Sequence, residues 1–482
     1  MNFNSFPYLL AFLPLVLILV AMARKLPIPR APQVVVLLAS MIFYSWAKPV
    51  NLAYLLGSIF VNWQLSQWIV ATRGPLRKRL LQLGLVLNIG FLCLFKYVNF
   101  LLTSIPYFAT HHLRIPDLAF PLGISFFTLA QIMYMVDCYQ ETNQPSSLFD
   151  HATFVSFFPY VISGPIAKAR RILHQFPRLN APIGPSADTV ARGMYLFSMG
   201  LIKKVVLADA FSQAADFGFN SAKNMSVLEA WVFVSCYTLQ IYFDFSGYSD
   251  MAIASAIFLG IEIPRNFDAP LRSTSIIEFW TRWHISLSDF ITAYLYTPIL
   301  KSFEKATLQT SAIATLIAMS IAGLWHGPSW TFVLFGFIHG AALVTNQYWK
   351  KLFKKKKGKK SIVLPNWLCW MLTFAVVDLA FVFFRAGTLS AARLYLPRLV
   401  NVHNLYSIRN LGDMNGSGLM VYVYLLAQIS GAILAFTGGS SEQLAGNFKP
   451  TALNSLSTVV FTLVALLFLN SSISKPFVYF AF

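Results

Sequence analysis

Two histidines stand out for the residues around them. His326 lies in Gly323-Leu324-Trp325-His326-Gly327-Pro328-Ser329-Trp330, between two apolar runs. An imidazole inside an apolar helical hairpin is costly unless it works or is satisfied by a partner, and on the bare residues both readings stand. The flanking glycines let a substrate or another backbone come close. His284 lies in Glu278-Phe279-Trp280-Thr281-Arg282-Trp283-His284-Ile285-Ser286-Leu287-Ser288, a segment that mixes aromatics with charge. Imidazole titrates near neutrality and suits removal of a hydroxyl proton by general-base catalysis. Metal ligation fits poorly: the two are 42 residues apart, with no His-x3-His and no nearby acidic third ligand on the same segment. His339, in Phe337-Ile338-His339-Gly340, reads as support or packing. No GxxxxGK[ST] loop or GxSxG elbow occurs, so ATP hydrolysis and serine-hydrolase chemistry lack a motif.

A second polar focus is Tyr242-Phe243-Asp244-Phe245-Ser246-Gly247-Tyr248-Ser249-Asp250, which sets two carboxylates among hydroxyls at the expected cytoplasmic end of a span. The proline-bounded turn Pro264–Pro270 follows. Glu278 and Arg282 stand four apart, a spacing that predicts a structural ion pair. Other charges within or beside spans are Lys96, Asp137, Lys203, Lys204, Asp209, Asp378 and Arg385. Each is expected to pair or to sit at a span end. Lys203 and Lys204 read as snorkelling cations, and Asp378 and Arg385 as neighbours on one helix face.

The elements that must hold these residues are set by composition. Of 482 residues 57% are hydrophobic and only 11% charged, against about 25% charged in soluble domains. The apolar residues gather into runs near the ~20 residues that cross a bilayer. The chain therefore reads as an all-α polytopic membrane protein with twelve full spans, at about 7–23, 31–47, 51–71, 80–101, 118–138, 190–209, 228–245, 308–326, 328–349, 366–386, 417–437 and 453–472. Shorter stretches at 152–166, 249–261 and 290–300 read as re-entrant or interfacial. Ala21-Met22-Ala23 resembles a processing site, yet no basic residue precedes the first apolar run and Arg24, Lys25 and Arg30 follow it. That order predicts an uncleaved first span with its amino end outside. Alternating the spans from there puts 25 of the 37 Lys and Arg residues in cytoplasmic segments, including the eight lysines of Lys350–Lys360. The net charge of +19 is thus a topology signal, and no nucleic-acid partner is expected. Cys93, Cys138, Cys236 and Cys369 lie singly, with no disulfide or zinc pattern. The lysine run divides the chain into a working part, 1–350, a cytoplasmic loop, 351–361, and plain helices, 362–482.

Taken in order, these segments resemble the membrane-bound O-acyltransferase family, within it the bacterial branch concerned with alginate O-acetylation and teichoic-acid D-alanylation. The likeness is carried by Pro121–Thr128, Tyr134–Asp137, Phe158–Ile166, Asp244–Asp250, Phe279–Ser288, Gly323–Trp330 and Phe477–Phe480. The resemblance implies a ring of about 11–13 transmembrane helices, with re-entrant helices around a thinned central tunnel, in a bacterial inner membrane. It maps the family's two histidines onto His284 and His326, with His326 the essential one. Trp283, Trp325, Trp330, Asp244, Ser246, Tyr248, Asp250 and Arg282 are expected to line the substrate path. No bound cofactor or metal is implied; acetyl-CoA or another acyl thioester is the donor substrate. Lipid, a polysaccharide or cell-wall glycan acceptor and periplasmic acetyl-transfer proteins are the implied partners. Thr281 and Ala167-Lys168-Ala169-Arg170-Arg171 depart from the family pattern, which bears on the donor head group. The greater length favours the acetylating type; D-alanyl transfer from a carrier protein and a transporter without covalent chemistry are the alternatives.

Overall fold

Backbone amides within hydrocarbon must be satisfied internally, so a chain this apolar folds as helices. The computed structural model describes residues 1–105, 121–221, 224–353, 364–414, 419–469 and 477–478, and among these there is no β-strand. The longer helices are α1 (Leu13–Ala23), α2 (Ala31–Ser45), α3 (Val50–Ala71), α4 (Pro75–Leu92), α5 (Ile124–Tyr139), α6 (Leu148–Ser156), α7 (Ala187–Ile202), α8 (Asp209–Asp216) and α9 (Val227–Phe258). After two short helices, α10 (Ile276–Arg282) and α11 (Ile285–Phe290), come α12 (Leu308–His326), α13 (Trp330–Leu352), α14 (Asn366–Ala386), α15 (Leu419–Thr437) and α16 (Ala452–Leu469).

The protein is an all-helical polytopic membrane protein. Among the described residues, four helices are long and apolar enough to cross a membrane: Pro75–Ser104, Leu308–His326, Asn366–Ala386 and Ala452–Leu469. Four more are apolar but shorter: Pro7–Ala23, Ala31–Ser45, Ile124–Tyr139 and Val421–Thr437. The remaining four expected spans are also helical but carry buried polar side chains, such as Asn51 and Asn62 in α3 and Asp244 in α9. The lysines at 354–360 and the pair Tyr479-Phe480 lie outside the described residues.

The described chain divides into two units. The first holds residues 1–198, 248–265 and 445–460; the second holds 199–247, 266–444 and 461–482. In the first, Gly84 of α4 lies where an added Cβ would be 2.6 Å from the Met135 sulfur of α5. The segment after α6, from Phe157 to Ala167, is irregular yet buried, as non-helical backbone must be at membrane depth.

In the second unit, α12 and α13 form a tight hairpin. Thr307 and Thr310 close a capping box at the start of α12. Pro328 ends it, because the residue before a proline is driven extended; Gly327 has φ −168° and ψ 158°. Gly323 and Gly336 face each other across the pair. A Cβ on Gly323 would lie 2.8 Å from the Gly336 nitrogen, and one on Gly336 would strike the Met319 carbonyl oxygen.

The largest departure from the sequence reading is α9. Residues 228–245 and 249–261 were expected as a span and a separate interfacial piece, but 227–258 is one 32-residue helix. At 1.5 Å per residue it is about 48 Å long, well beyond a ~30 Å hydrocarbon core. Ser226 and Glu229 cap its start reciprocally, at 3.1 and 2.9 Å. Ser246-Gly247 does not break it, because Gly247 is a packing contact: a Cβ there would meet the Gly200 carbonyl oxygen at 2.7 Å. Asp244 is therefore mid-helix rather than at a helix end.

Candidate active site

His284 sits between α10 and α11 in a left-handed conformation, φ 42° and ψ 53°. For a residue with a side chain this costs about 1–3 kcal/mol and persists only where the surroundings enforce it. α10 is fixed by Ser275, whose hydroxyl caps the Glu278 amide at 3.2 Å. Arg282 closes the same turn by pairing with Glu278 at 2.9 Å, the ion pair the spacing predicted. Arg282 is thereby engaged structurally, with part of its side chain still exposed.

His326 is the last residue of α12, placed by the hairpin. Its ring is enclosed by Trp325 at 5.0 Å, Phe384 at 5.3 Å and Phe335 at 5.8 Å between centroids. Trp325 also meets the His284 ring edge-to-face, at 6.4 Å and 61°. One indole thus contacts both imidazoles, and both histidines are buried, 1% and 6% exposed. Phe245 of α9 stands edge-on to His284 at 4.7 Å, and Phe477 packs on Phe245 at 5.7 Å. His284 Nδ1 lies 3.0 Å from Asn266 Oδ1. Its Nε2 has no hydrogen-bond partner among the described residues.

The other expected residues divide. Trp283 is buried in an aromatic cluster, stacked on Phe279 at 5.4 Å and edge-on to Phe267 at 5.2 Å. Trp330, at the start of α13, is 53% exposed. Asp244 is buried beside Lys204, at 2.7 Å, and accepts the Val478 amide at 2.8 Å. Lys204 also reaches Asp209 at 3.4 Å. It therefore does not snorkel but is clamped between two carboxylates. Ser246 is buried, with no hydrogen-bond partner for its hydroxyl among the described residues. Tyr248 and Asp250 are buried in the first unit, Tyr248 against Phe3 at 4.9 Å.

His339 is held by its neighbours. The Trp280 indole N–H donates to its Nδ1 at 3.3 Å, and Phe279 stacks parallel to it at 6.0 Å. An indole nitrogen only donates, so Nδ1 is the unprotonated nitrogen and His339 is neutral. Among the described residues, Asp378 and Arg385 bond to different groups. Ser235 and Thr238 donate to Asp378, and Arg385 pairs with Asp216 at 2.9 Å.

Comparison with known proteins fits this arrangement. Residues 74–384 match the model of MBOAT, the membrane-bound O-acyltransferase family, a stretch that includes both histidines and Trp325. The chain belongs to the membrane-bound O-acyltransferase family. It is 37% identical to a peptidoglycan O-acetyltransferase of Helicobacter pylori over 433 residues, 84% of this chain and 80% of that protein. It is 34% identical to a probable alginate O-acetylase, AlgI, of Pseudomonas aeruginosa, over 91% of this chain and 81% of that one. A teichoic acid D-alanyltransferase of Streptococcus thermophilus is 29% identical over 55% of this chain and 68% of its own length. This membrane-bound O-acyltransferase is an enzyme. Asn266, Lys204 and Phe245 were not singled out by sequence for their roles at the site. Asn266 could have been found from its place in the proline-bounded turn, a polar residue where the chain must bury its backbone.

Proposed function

We propose that this O-acyltransferase moves an acetyl group from a cytoplasmic thioester, acetyl-CoA, to a hydroxyl of an exported polysaccharide or cell-wall glycan. The enzyme works in a bacterial inner membrane with its amino end outside, and periplasmic proteins complete the transfer. The observation that carries the reading is the pair of buried imidazoles on one indole, His284–Trp325–His326, inside the family segment. The names of the peptidoglycan O-acetyltransferase and the probable alginate O-acetylase, both above 30% identity, support the acetyl group and a glycan acceptor.

In the reaction the acceptor oxygen attacks the thioester carbonyl, a C–O bond forms and the C–S bond breaks. His326 takes the hydroxyl proton as attack proceeds and returns it to the departing thiolate, so the histidine ends unchanged. The aromatic wall around His326 keeps water from competing for the acyl group. His284 orients a substrate beside it. The test is acetyl-CoA labelled in the acetyl group, supplied to membranes that hold the protein. Label in a glycan or partner protein is expected. Label that enters only when D-alanine is loaded on a carrier protein would replace acetyl by D-alanyl transfer. Transport without label transfer would overturn the enzymatic reading for this substrate.

A further inference from the structure

Asn266 is fully buried and spends both of its oxygens on the turn that carries His284. Its backbone carbonyl accepts the Ile285 amide at 2.9 Å, which ties down the left-handed residue. Its side-chain oxygen is approached by the Ser286 backbone amide at 3.3 Å, the Ser286 hydroxyl at 2.9 Å and His284 Nδ1 at 3.0 Å. A backbone N–H can only donate, so the Asn266 atom facing it is the oxygen and not the amide nitrogen. An amide oxygen can only accept, so the proton of the neutral His284 ring is on Nδ1. Nε2 then carries a lone pair. That atom is buried and meets no hydrogen-bond donor among the described residues.

We infer that Asn266 is a positioning residue that fixes the tautomer of His284, so that His284 presents an acceptor nitrogen and binds an O–H or N–H of a substrate. The inference rests on the acyl-transfer reading and sharpens it: a nitrogen with no proton cannot polarise the thioester carbonyl. His284 instead orients the hydroxyl-bearing acceptor, and other groups stabilise the carbonyl oxygen. Ser286 holds the amide in the required orientation. The groups packed on His284 (Asn266, Ser286, Phe245 and Trp325) carry no charge. The charged or imidazole side chains on the same elements are Glu229, Asp244 (held by Lys204) and Asp250 of α9, Arg265 and Asp268 of the turn, Glu278 paired with Arg282 on α10, Asp289 of α11 and His326 of α12.

The test compares wild type with Asn266→Asp and Asn266→Leu in membranes matched for folded protein by gel filtration. Transfer of label from acetyl-CoA is followed across pH 5–9. Asn266→Asp keeps an oxygen on Nδ1–H but adds a negative charge, which stabilises the imidazolium by ~1–3 pH units. The lone pair is then lost at higher pH, so the acid limb of the rate profile should move up by about one unit or more while transfer persists above it. Asn266→Leu should lose transfer at least ~10-fold at every pH. An unmoved acid limb in Asn266→Asp, or wild-type transfer in Asn266→Leu, would overturn the inference. Nitrogen-15 spectra of histidine-labelled protein, with His284→Gln identifying the signal, read the tautomer without any substrate. A proton on Nε2 of His284 refutes the assignment even where acetyl-CoA proves the wrong donor; a proton on Nδ1 with no acetyl transfer refutes only the functional reading.

Discussion

Lys204 offers the sharpest test of how α9 is held. Its ammonium lies 2.7 Å from Asp244 and 3.4 Å from Asp209, and all three side chains are 6% exposed or less. Lys204→Met keeps the length of the side chain and removes the charge, leaving two carboxylates buried without their cation. Breaking a buried pair by removing one partner costs about 3–5 kcal/mol. Domains of 150–250 residues shift by ~2–4 °C per kcal/mol. A chain about twice that length should shift half as much, giving a fall on the order of 5 °C. Thermal unfolding in detergent, followed by loss of the monodisperse gel-filtration peak, measures it. Adding Asp244→Asn to Lys204→Met removes one stranded charge yet leaves an oxygen for the Val478 amide. It should recover more than half of the loss and restore transfer in parallel. Full stability in Lys204→Met would refute the clamp. Recovery of stability without recovery of transfer would show that the Asp244 charge serves the chemistry itself.

His326→Gln keeps volume and hydrogen bonding but cannot take a proton near neutrality; it should lose at least ~10²-fold of acetyl transfer, and wild-type transfer would reduce His326 to packing. His339→Ala should instead lower stability by about 1–3 kcal/mol, because it strands the Trp280 N–H, with a far smaller loss of transfer. Gly336→Ala places a Cβ against the Met319 carbonyl and should push α13 from α12 by on the order of 1 Å. Such a displacement, against Met319 and Gly323, seven and three residues before His326 on α12, should cost up to ~10²-fold in rate in inserted protein, and unchanged kinetics would mean that the hairpin does not set the histidine's position. A cysteine introduced within 354–360 should resist an impermeant thiol reagent in intact cells and react after lysis; labelling of intact cells would invert the topology.

Much of this was legible because membranes penalise polarity. The same penalty that exposes twelve apolar runs makes His284 and His326 conspicuous, and the four-residue spacing of Glu278 and Arg282 fixed their pairing. What sequence could not supply was partnership between distant segments. Lys204 read as a snorkelling cation because Asp244, its main partner, lies forty residues away on another helix. Ser246-Gly247 read as the end of a span because polar residues and glycine usually mark one, whereas here they admit close packing by residues 200–204. Asn266 matters through the direction of one hydrogen bond, which no residue pattern encodes. Trp330 shares the family motif with Trp325, but one helix boundary separates an exposed ring from one touching both histidines.

The amide that satisfies Asp244 belongs to Val478, 234 residues further along the chain. During biosynthesis α9 therefore leaves the insertion machinery long before its carboxylate can receive that donor. Lys204 and Asp209 lie five residues apart and can enter the bilayer as a self-neutralised couple. Asp244 joins them one hydrogen bond short, and stays so until the chain beyond α16 has been made and seated. Phe477 arrives with Val478 and closes on Phe245, which backs His284. Maturation of the centre is thus timed by a late segment. A tag or truncation beyond α16 should be felt in the middle of the sequence, as an enzyme inserted in the membrane but not yet competent.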